Sequence, residues 1–166
     1  MPGPFRLLFV CLGNICRSPA AEGVMRNLLE HEGLPGPVEV DSAGTGGWHA
    51  GQLPDSRMRQ HAAKRGYALT SRARQFRPAD FNEFDLILAM DRQNLRDLQD
   101  LARHQHQLAR LRLFGDFVGD GSAKDIPDPY YGGADGFETV LDLVEDGCGE
   151  ILRKIKPELN QHAQPS

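Results

Sequence analysis

The sequence predicts an α/β fold: a four-stranded parallel sheet with helices on both faces, Rossmann-like in its winding. Three observations carry this. Short, bounded apolar runs alternate four times with longer stretches of helical period, the pattern of strands joined by crossover helices. The first run passes through a compact loop straight into a helix start. No internal repeat, linker or low-complexity block divides the chain.

The elements follow in order. Phe5 to Val10 is short and apolar, which suits a buried strand. Ser18 and Pro19 read as N-cap and first helical position. Ala20, Ala21, Val24, Met25, Leu28 and Leu29 then recur at helical spacing, and Gly33 with Pro35 closes the segment. Val38 to Ser42, "VEVDS", alternates as a second strand. A glycine-rich loop carrying Trp48 follows, and Asp55 or Ser56 caps a helix that ends at Gly66. "FDLILAMD" is the third strand, closing at Asp91, with a helical stretch to about Gln107. "LRLF", Leu111 to Phe114, is the fourth. After the polar loop "GDFVGDGSAKDIPDPYYGGADG", the residues Phe137, Val140, Leu141, Val144, Cys148, Ile151, Leu152 and Ile155 share one helical face. Residues 1–157 are therefore expected to form one domain, and 158–166, polar and beyond Pro157, a frayed tail.

Composition bounds the function. A chain of 166 residues, 40% hydrophobic and 25% charged, can bury a core without disulfides or metals. The net charge of −4 weighs against a nucleic-acid partner. No apolar run reaches membrane-spanning length, and "LLFVCLG" is too short for a secretory signal. Three cysteines without CxxC spacing exclude a disulfide framework and a zinc knuckle, and a reducing cytoplasm fits. No metal or cofactor is expected.

In a sheet of this kind ligands sit beyond the carboxyl ends of the strands. The residues at those ends are Cys11, Ser42, Asp91 and the loop holding Asp128. Five residues separate Cys11 from Arg17. A loop so short, folded against a helix start, turns backbone N–H groups inward as an anion cradle, reinforced by the helix dipole. Gly13 lets the backbone turn and Asn14 tolerates left-handed geometry. Arg17 adds a planar fork for phosphoryl oxygens. The same field stabilises a thiolate at Cys11, and Ser18 is placed to donate to it. A cysteine at a strand end is by itself most often packing, and an arginine at a helix start most often surface. Their combination with the glycine, the asparagine and the strand–loop–helix context favours chemistry. The loop lacks the GK[ST] of a Walker A sequence, and the glycines near Trp48 lack GxGxxG spacing. Among acids, Asp116, Asp120, Asp125, Asp128 and Asp135 lie close together, and chemistry alone does not choose between them.

"VCLGNICRSPAAEGVM" resembles the phosphate-binding loop and first helix of the low-molecular-weight protein tyrosine phosphatases. "VDSAGTGGWHAGQLPD", "RARQF", "FDLILAMDRQNLRDL" and "DPYYGGADGFETV" resemble later family segments in the same order, from about Arg6 to about Ile155. The resemblance implies a metal-independent hydrolase of phosphotyrosine in proteins and of small aryl phosphates, releasing inorganic phosphate. It implies that the Cys11 thiolate attacks phosphorus and that Arg17 with the loop Leu12, Gly13, Asn14, Ile15, Cys16 and Ser18 holds the equatorial oxygens. Asp128, in the DPYYG match, then protonates the leaving phenolate and activates water. Asn14, Ser18 and Ser42 would fix the loop, with Asp91 in support. Trp48, Tyr130 and Tyr131 would wall a deep cleft for a phenyl ring, with Ile15 facing it. Related arginine phosphatases carry threonine at the Ile15 position, so Ile15 favours phosphotyrosine. Cys16 would trap an oxidised Cys11 as a disulfide. Three other readings remain: a protein-arginine phosphatase, a thioredoxin-coupled arsenate reductase (whose relay cysteines residues 66–95 lack) and a non-catalytic phosphotyrosine-binding module. His104 and His106, Cys148 and the basic stretch from Arg57 to Arg77 are expected to be surface, core and solvated surface respectively.

Overall fold

The central strand decides where everything else goes. The protein is described by a computed structural model over residues 3–34, 36–122, 124–130 and 133–163. Strands β1 (Phe5–Cys11), β2 (Val38–Gly44), β3 (Leu86–Ala89) and β4 (Leu111–Leu113) form one four-stranded sheet in the order β2-β1-β3-β4, all parallel. This is the expected α/β architecture. Successive side chains of β1 point to opposite faces. Phe5, Leu7, Phe9 and Cys11 enter a core shared with helices α1 (Arg17–His31) and α6 (Ala134–Ala163). Leu8 and Val10 enter a second core with Phe81 of α3 (Asp80–Glu83), Phe84, and Leu98 of α4 (Arg92–Leu101). Helices thus cover both faces, and of the two central strands β3 carries no polar side chain and β1 only Arg6.

The winding places the site. From β1 the chain goes to β2 on one side, then returns to β3 on the other. Such a reversal opens a crevice at the carboxyl ends of the two diverging strands. Cys11 ends β1 at that crevice.

Several element boundaries differ from the sequence reading, each for a local reason. Helix α1 begins at Arg17 with Cys16 in the N-cap position, because Ser18 turns its hydroxyl to Cys11 instead of capping the helix. Helix α2 (Ser56–Lys64) is capped by Asp55, which accepts from the N–H groups of Arg57 and Met58. The helix after β3 stops at Leu101. His104 is extended, and a separate α5 (Gln105–Leu108) follows, its Gln107 side chain accepting from the N–H groups of Arg103 and His104. Strand β4 ends at Leu113, with Phe114 opening a 3-10 turn to Phe117. Helix α6 does not stop at Pro157 but continues to Ala163. Leu159, four residues beyond Ile155, is buried and prolongs the apolar stripe, while Pro157 sits on the exposed side.

The basic stretch 57–77 is not merely solvated. Arg65 bridges Glu138, Asp142 and Glu145 of α6, Arg74 joins Asp41 to the fully buried Asp80, and Arg57 pairs with Asp55. These pairs fasten α2 and the segment after it to α6 and β2.

Candidate active site

Between Cys11 and Arg17 the backbone has little room. Gly44, paired with Cys11 across β1 and β2, lies so close that a Cβ there would stand 2.8 Å from the Leu12 carbonyl oxygen and 3.2 Å from the Asn14 nitrogen. Asn14 is the left-handed residue, φ 58°. Gly13 lies in a bend, as expected, without a positive φ. A Cβ there would meet His49 Cδ2 at 3.0 Å, so the glycine also gives that ring its place.

Carbonyl groups around the loop are drawn outward. Those of Cys11 and Leu12 accept from the N–H groups of Thr45 and Gly46, both at 2.9 Å. Those of Ile15 and Cys16 accept from Asp55 at 2.8 Å and Ala20 at 3.1 Å. In a trans peptide N–H opposes C=O, so the N–H groups of Leu12, Gly13, Cys16 and Arg17 turn into the loop. Together with the start of α1 they form an anion nest.

Cys11 Sγ sits at the centre. It accepts from the Asn14 N–H at 3.3 Å and meets Ser18 Oγ at 3.0 Å. Asn14 Nδ2 donates to Ser18 Oγ at 2.8 Å and to Ser42 Oγ at 3.0 Å, while its Oδ1 accepts from the Arg74 N–H at 3.0 Å. Ser42 Oγ donates to Glu22 Oε1 at 2.6 Å, and Arg26 binds Glu22 Oε2 at 2.7 Å. All of this apart from the Arg26 head is buried.

Arg17 is nearly sealed, with 3% of its side chain exposed. Nη1 donates to Asp91 Oδ2 at 2.6 Å and to the Ile126 carbonyl at 3.0 Å, and Nη2 reaches Asp128 Oδ2 at 3.5 Å. Burial opposes its charge, but Cys11, Asp91 and Asp128 outweigh that, and its pKa is raised. Asp91 is fixed in turn as the N-cap of α4, its Oδ1 accepting from Asn94 N–H at 2.7 Å. Asp128 accepts from the Tyr130 N–H at 3.0 Å. Burial, then the charges of Asp55, Cys11 and Asp128, push the Cys16 thiol far up.

Cys11, Cys16, Arg17 and Asp128 share one cavity of about 390 Å³ with Leu12, Gly13, Ile15, Trp48, His49 and Tyr130, while Asp91 lies outside it. Trp48 stands at its rim, 71% exposed. Ser42, Ser18 and Asn14 lie behind the loop, and Tyr131 falls outside the described residues. A second cavity of about 420 Å³, at the outer edge of β2, is lined by Arg6, Arg26, Glu39 and Asp41 among others and holds no nucleophile. Among the described residues, no cluster of metal-ligating side chains occurs.

Three contributors escape the sequence reading. His49 packs against Tyr130 with ring centroids 6.2 Å apart. Arg57 donates to the Tyr130 carbonyl at 2.9 Å and lies over the Phe137 ring at 4.9 Å, so the acid-bearing loop is tied to α2 and α6. Glu22 anchors the network behind the thiol. Its signal was present, since Ser18, Glu22 and Arg26 recur every four residues along one face of α1.

A thiol inside an anion nest, with an arginine and a carboxylate facing the same cavity at the switch point of a parallel sheet, is suited to hydrolysis of phosphate monoesters. The comparisons agree. Residues 6–161 match the model of the low molecular weight phosphotyrosine protein phosphatase family. The putative low molecular weight protein-tyrosine-phosphatase of Synechocystis sp. is 50% identical over 156 residues, 93% of this chain and 98% of that protein. The low molecular weight protein-tyrosine-phosphatase of Streptomyces coelicolor is 44% identical over 161 residues, 96% of this chain and 98% of that protein. A crystal structure of a protein tyrosine phosphatase from Entamoeba histolytica, with Hepes in its active site, superposes with a TM-score of 0.89 at 43% identity, covering 93% of this chain and 98% of that one. The chain belongs to the low molecular weight phosphotyrosine protein phosphatase family. It is a protein-tyrosine phosphatase.

Proposed function

We propose that this phosphatase works through Cys11, Arg17 and Asp128 on phosphotyrosyl side chains of proteins. The observation that carries this is the single cavity shared by the Cys11 thiol, the Arg17 guanidinium and the Asp128 carboxylate. A phosphoryl group seated in the nest presents phosphorus to Cys11 Sγ. Three oxygens take the inward N–H groups and the Arg17 fork, which meet charge spread over those oxygens in the transition state. The S–P bond forms as the P–O(aryl) bond breaks, and Asp128 gives its proton to the departing phenolate. Asp128 then takes a proton from water, which attacks the cysteinyl phosphate and frees inorganic phosphate and the thiolate. Ile15, Trp48, His49 and Tyr130 bound the space above the nest, so a flat aromatic ring finds apolar walls at a depth that a short phosphoserine does not reach.

Two further expectations belong to this reading. Peroxide turns the Cys11 thiolate into a sulfenic acid, and attack by the Cys16 sulfur forms an S–S bond and expels hydroxide, which keeps the nucleophile recoverable. Both cysteines are free thiols here. The workplace is the cytoplasm, where thiols stay reduced; among the described residues no helix is long and apolar enough to cross a membrane.

The test is acid quenching during turnover of a phosphotyrosyl peptide, followed by peptide mapping. Phosphate on Cys11 is expected. Cys11→Ser should lose turnover yet still bind vanadate, since the substitution removes the nucleophile and keeps the nest. Undiminished turnover by Cys11→Ser, or phosphate mapped elsewhere, overturns the assignment.

A further inference from the structure

Behind the nucleophile the hydrogen-bonded groups form one buried line: Arg26, Glu22, Ser42, Asn14, Ser18, Cys11. Every link is within hydrogen-bond reach: 2.7, 2.6, 3.0, 2.8 and 3.0 Å in that order. Only the Arg26 end meets solvent, with 58% of its side chain exposed against 4% for Glu22.

The direction of donation along this line is forced. A carboxylate only accepts. Ser42 Oγ has one proton and must give it to Glu22, so toward Asn14 it can only accept. Asn14 therefore turns its NH₂ group to Ser42, and the second hydrogen of that group goes to Ser18 Oγ. The Arg74 N–H at Asn14 Oδ1 agrees with this orientation. Ser18 Oγ, already accepting, has its own proton left to give. Its acceptors are Cys11 Sγ at 3.0 Å and the Ala43 carbonyl at a longer 3.4 Å.

We propose that Glu22 is a positioning residue for the reaction: through Ser42 and Asn14 it fixes Ser18 as a hydrogen-bond donor to the Cys11 thiolate. The proposal rests on Cys11 being the nucleophile. Glu22 touches no substrate and no reacting atom. Arg26 holds the other carboxylate oxygen and so locks which way any side chain at position 22 must face.

That lock supplies the test. In Glu22→Gln the amide must meet two neighbours. Arg26 offers only donors, so the glutamine turns its oxygen to Arg26 and its NH₂ to Ser42. Ser42 then accepts from position 22 as well as from Asn14, and its own proton is left without the carboxylate that took it. The buried line loses its anchoring acceptor, and the Ser42–Asn14–Ser18 side is no longer pulled into one fixed arrangement behind Cys11. Simple charge removal acts in the opposite sense, because taking a negative charge away from the neighbourhood of Cys11 favours the thiolate.

Alkylation of Cys11 by iodoacetamide, followed against pH, reads the thiolate directly and does not depend on turnover. Arg17, Cys16, Asp128, His49 and Tyr130, the other titratable groups lining the cavity, are unchanged in every variant. For Glu22→Gln the midpoint of the alkylation profile is expected to rise by about half to one pH unit, a roughly three- to tenfold slower reaction below the midpoint. The acidic limb of kcat/KM for p-nitrophenyl phosphate should move with it, and KM less than kcat. In Glu22→Gln with Arg26→Met the amide is free to turn its oxygen to Ser42, and the midpoint should return toward that of the unmodified protein. An unchanged or lowered midpoint in Glu22→Gln overturns the proposal, and so does a double variant no better than the single one. If Glu22→Gln alone does not fold, the double variant decides: a native midpoint supports the proposal and a displaced one overturns it. Loss of turnover with a native alkylation profile in the unmodified enzyme would instead strike at the catalytic reading.

Discussion

Arg17 Nη1 and Asp91 Oδ2 lie 2.6 Å apart, joining the first turn of α1 to the N-cap of α4 across the mouth of the sheet. The arginine that faces the cavity is therefore aimed by a residue seventy-four positions away.

Asp91→Ala should free the Arg17 fork and remove a helix cap together. We expect KM for p-nitrophenyl phosphate to rise on the order of tenfold and the unfolding midpoint to fall, since loss of a helix cap alone costs about 1 kcal/mol. Steady-state kinetics and a thermal melt check both. Arg17 held by Ile126 alone, with unchanged KM, would show that the ion pair does not aim it.

Asp128→Asn should separate substrates by leaving group. Removing the proton donor is expected to slow phosphotyrosine turnover by roughly a hundred- to ten-thousand-fold, and p-nitrophenyl phosphate by less, because nitrophenolate needs little help to depart. Rates for a series of substituted phenyl phosphates make the comparison. Equal losses across the series would place the acid elsewhere.

Ile15→Thr should shift preference from phosphotyrosine toward phosphoarginine. Ile15 lines the cavity beside the nest, where a butyl group packs on a ring and a hydroxyl accepts from a guanidinium. The ratio of the two kcat/KM values is the measurement, and an unchanged ratio removes Ile15 from the specificity argument.

Cys16→Ser should keep its activity but lose reversibility after peroxide. Burial beside Asp55, Cys11 and Asp128 holds the Cys16 proton tightly, and the attacking species in disulfide formation is the thiolate. A raised pKa means less thiolate at every pH below it, so protection of the native protein should grow as pH rises. Recovery with dithiothreitol after peroxide at two pH values checks both statements. Equal recovery in native protein and variant, or a linkage to Cys148, would leave Cys16 as packing.

Much of this molecule was legible before its structure. Apolar runs bounded by glycine and aspartate located four strands, and strand ends pointed to Cys11, Ser42, Asp91 and the loop of Asp128. What escaped was of two kinds. Ser18 reads as a cap in sequence, but its hydroxyl has a better partner in Cys11, a contact that only tertiary folding supplies. Leu159 reads as part of a polar tail after a proline, yet the stripe it continues keeps the helix intact. Glu22 was missed because the helix was read for its apolar face, and a charged residue inside that pattern looks like surface until Ser42 and Arg26 are seen to satisfy it.

The outward-drawn carbonyls of Cys11, Leu12, Ile15 and Cys16 have one more consequence. Each is held by a neighbour that is itself part of the folded framework. Held carbonyls set the direction of the N–H groups behind them, so the framework and not the anion fixes the spacing of the nest's donors. Donors at a set spacing select by shape. Tetrahedral oxyanions of the right radius should bind more tightly than planar anions such as nitrate, which find donors spaced for a geometry they do not have.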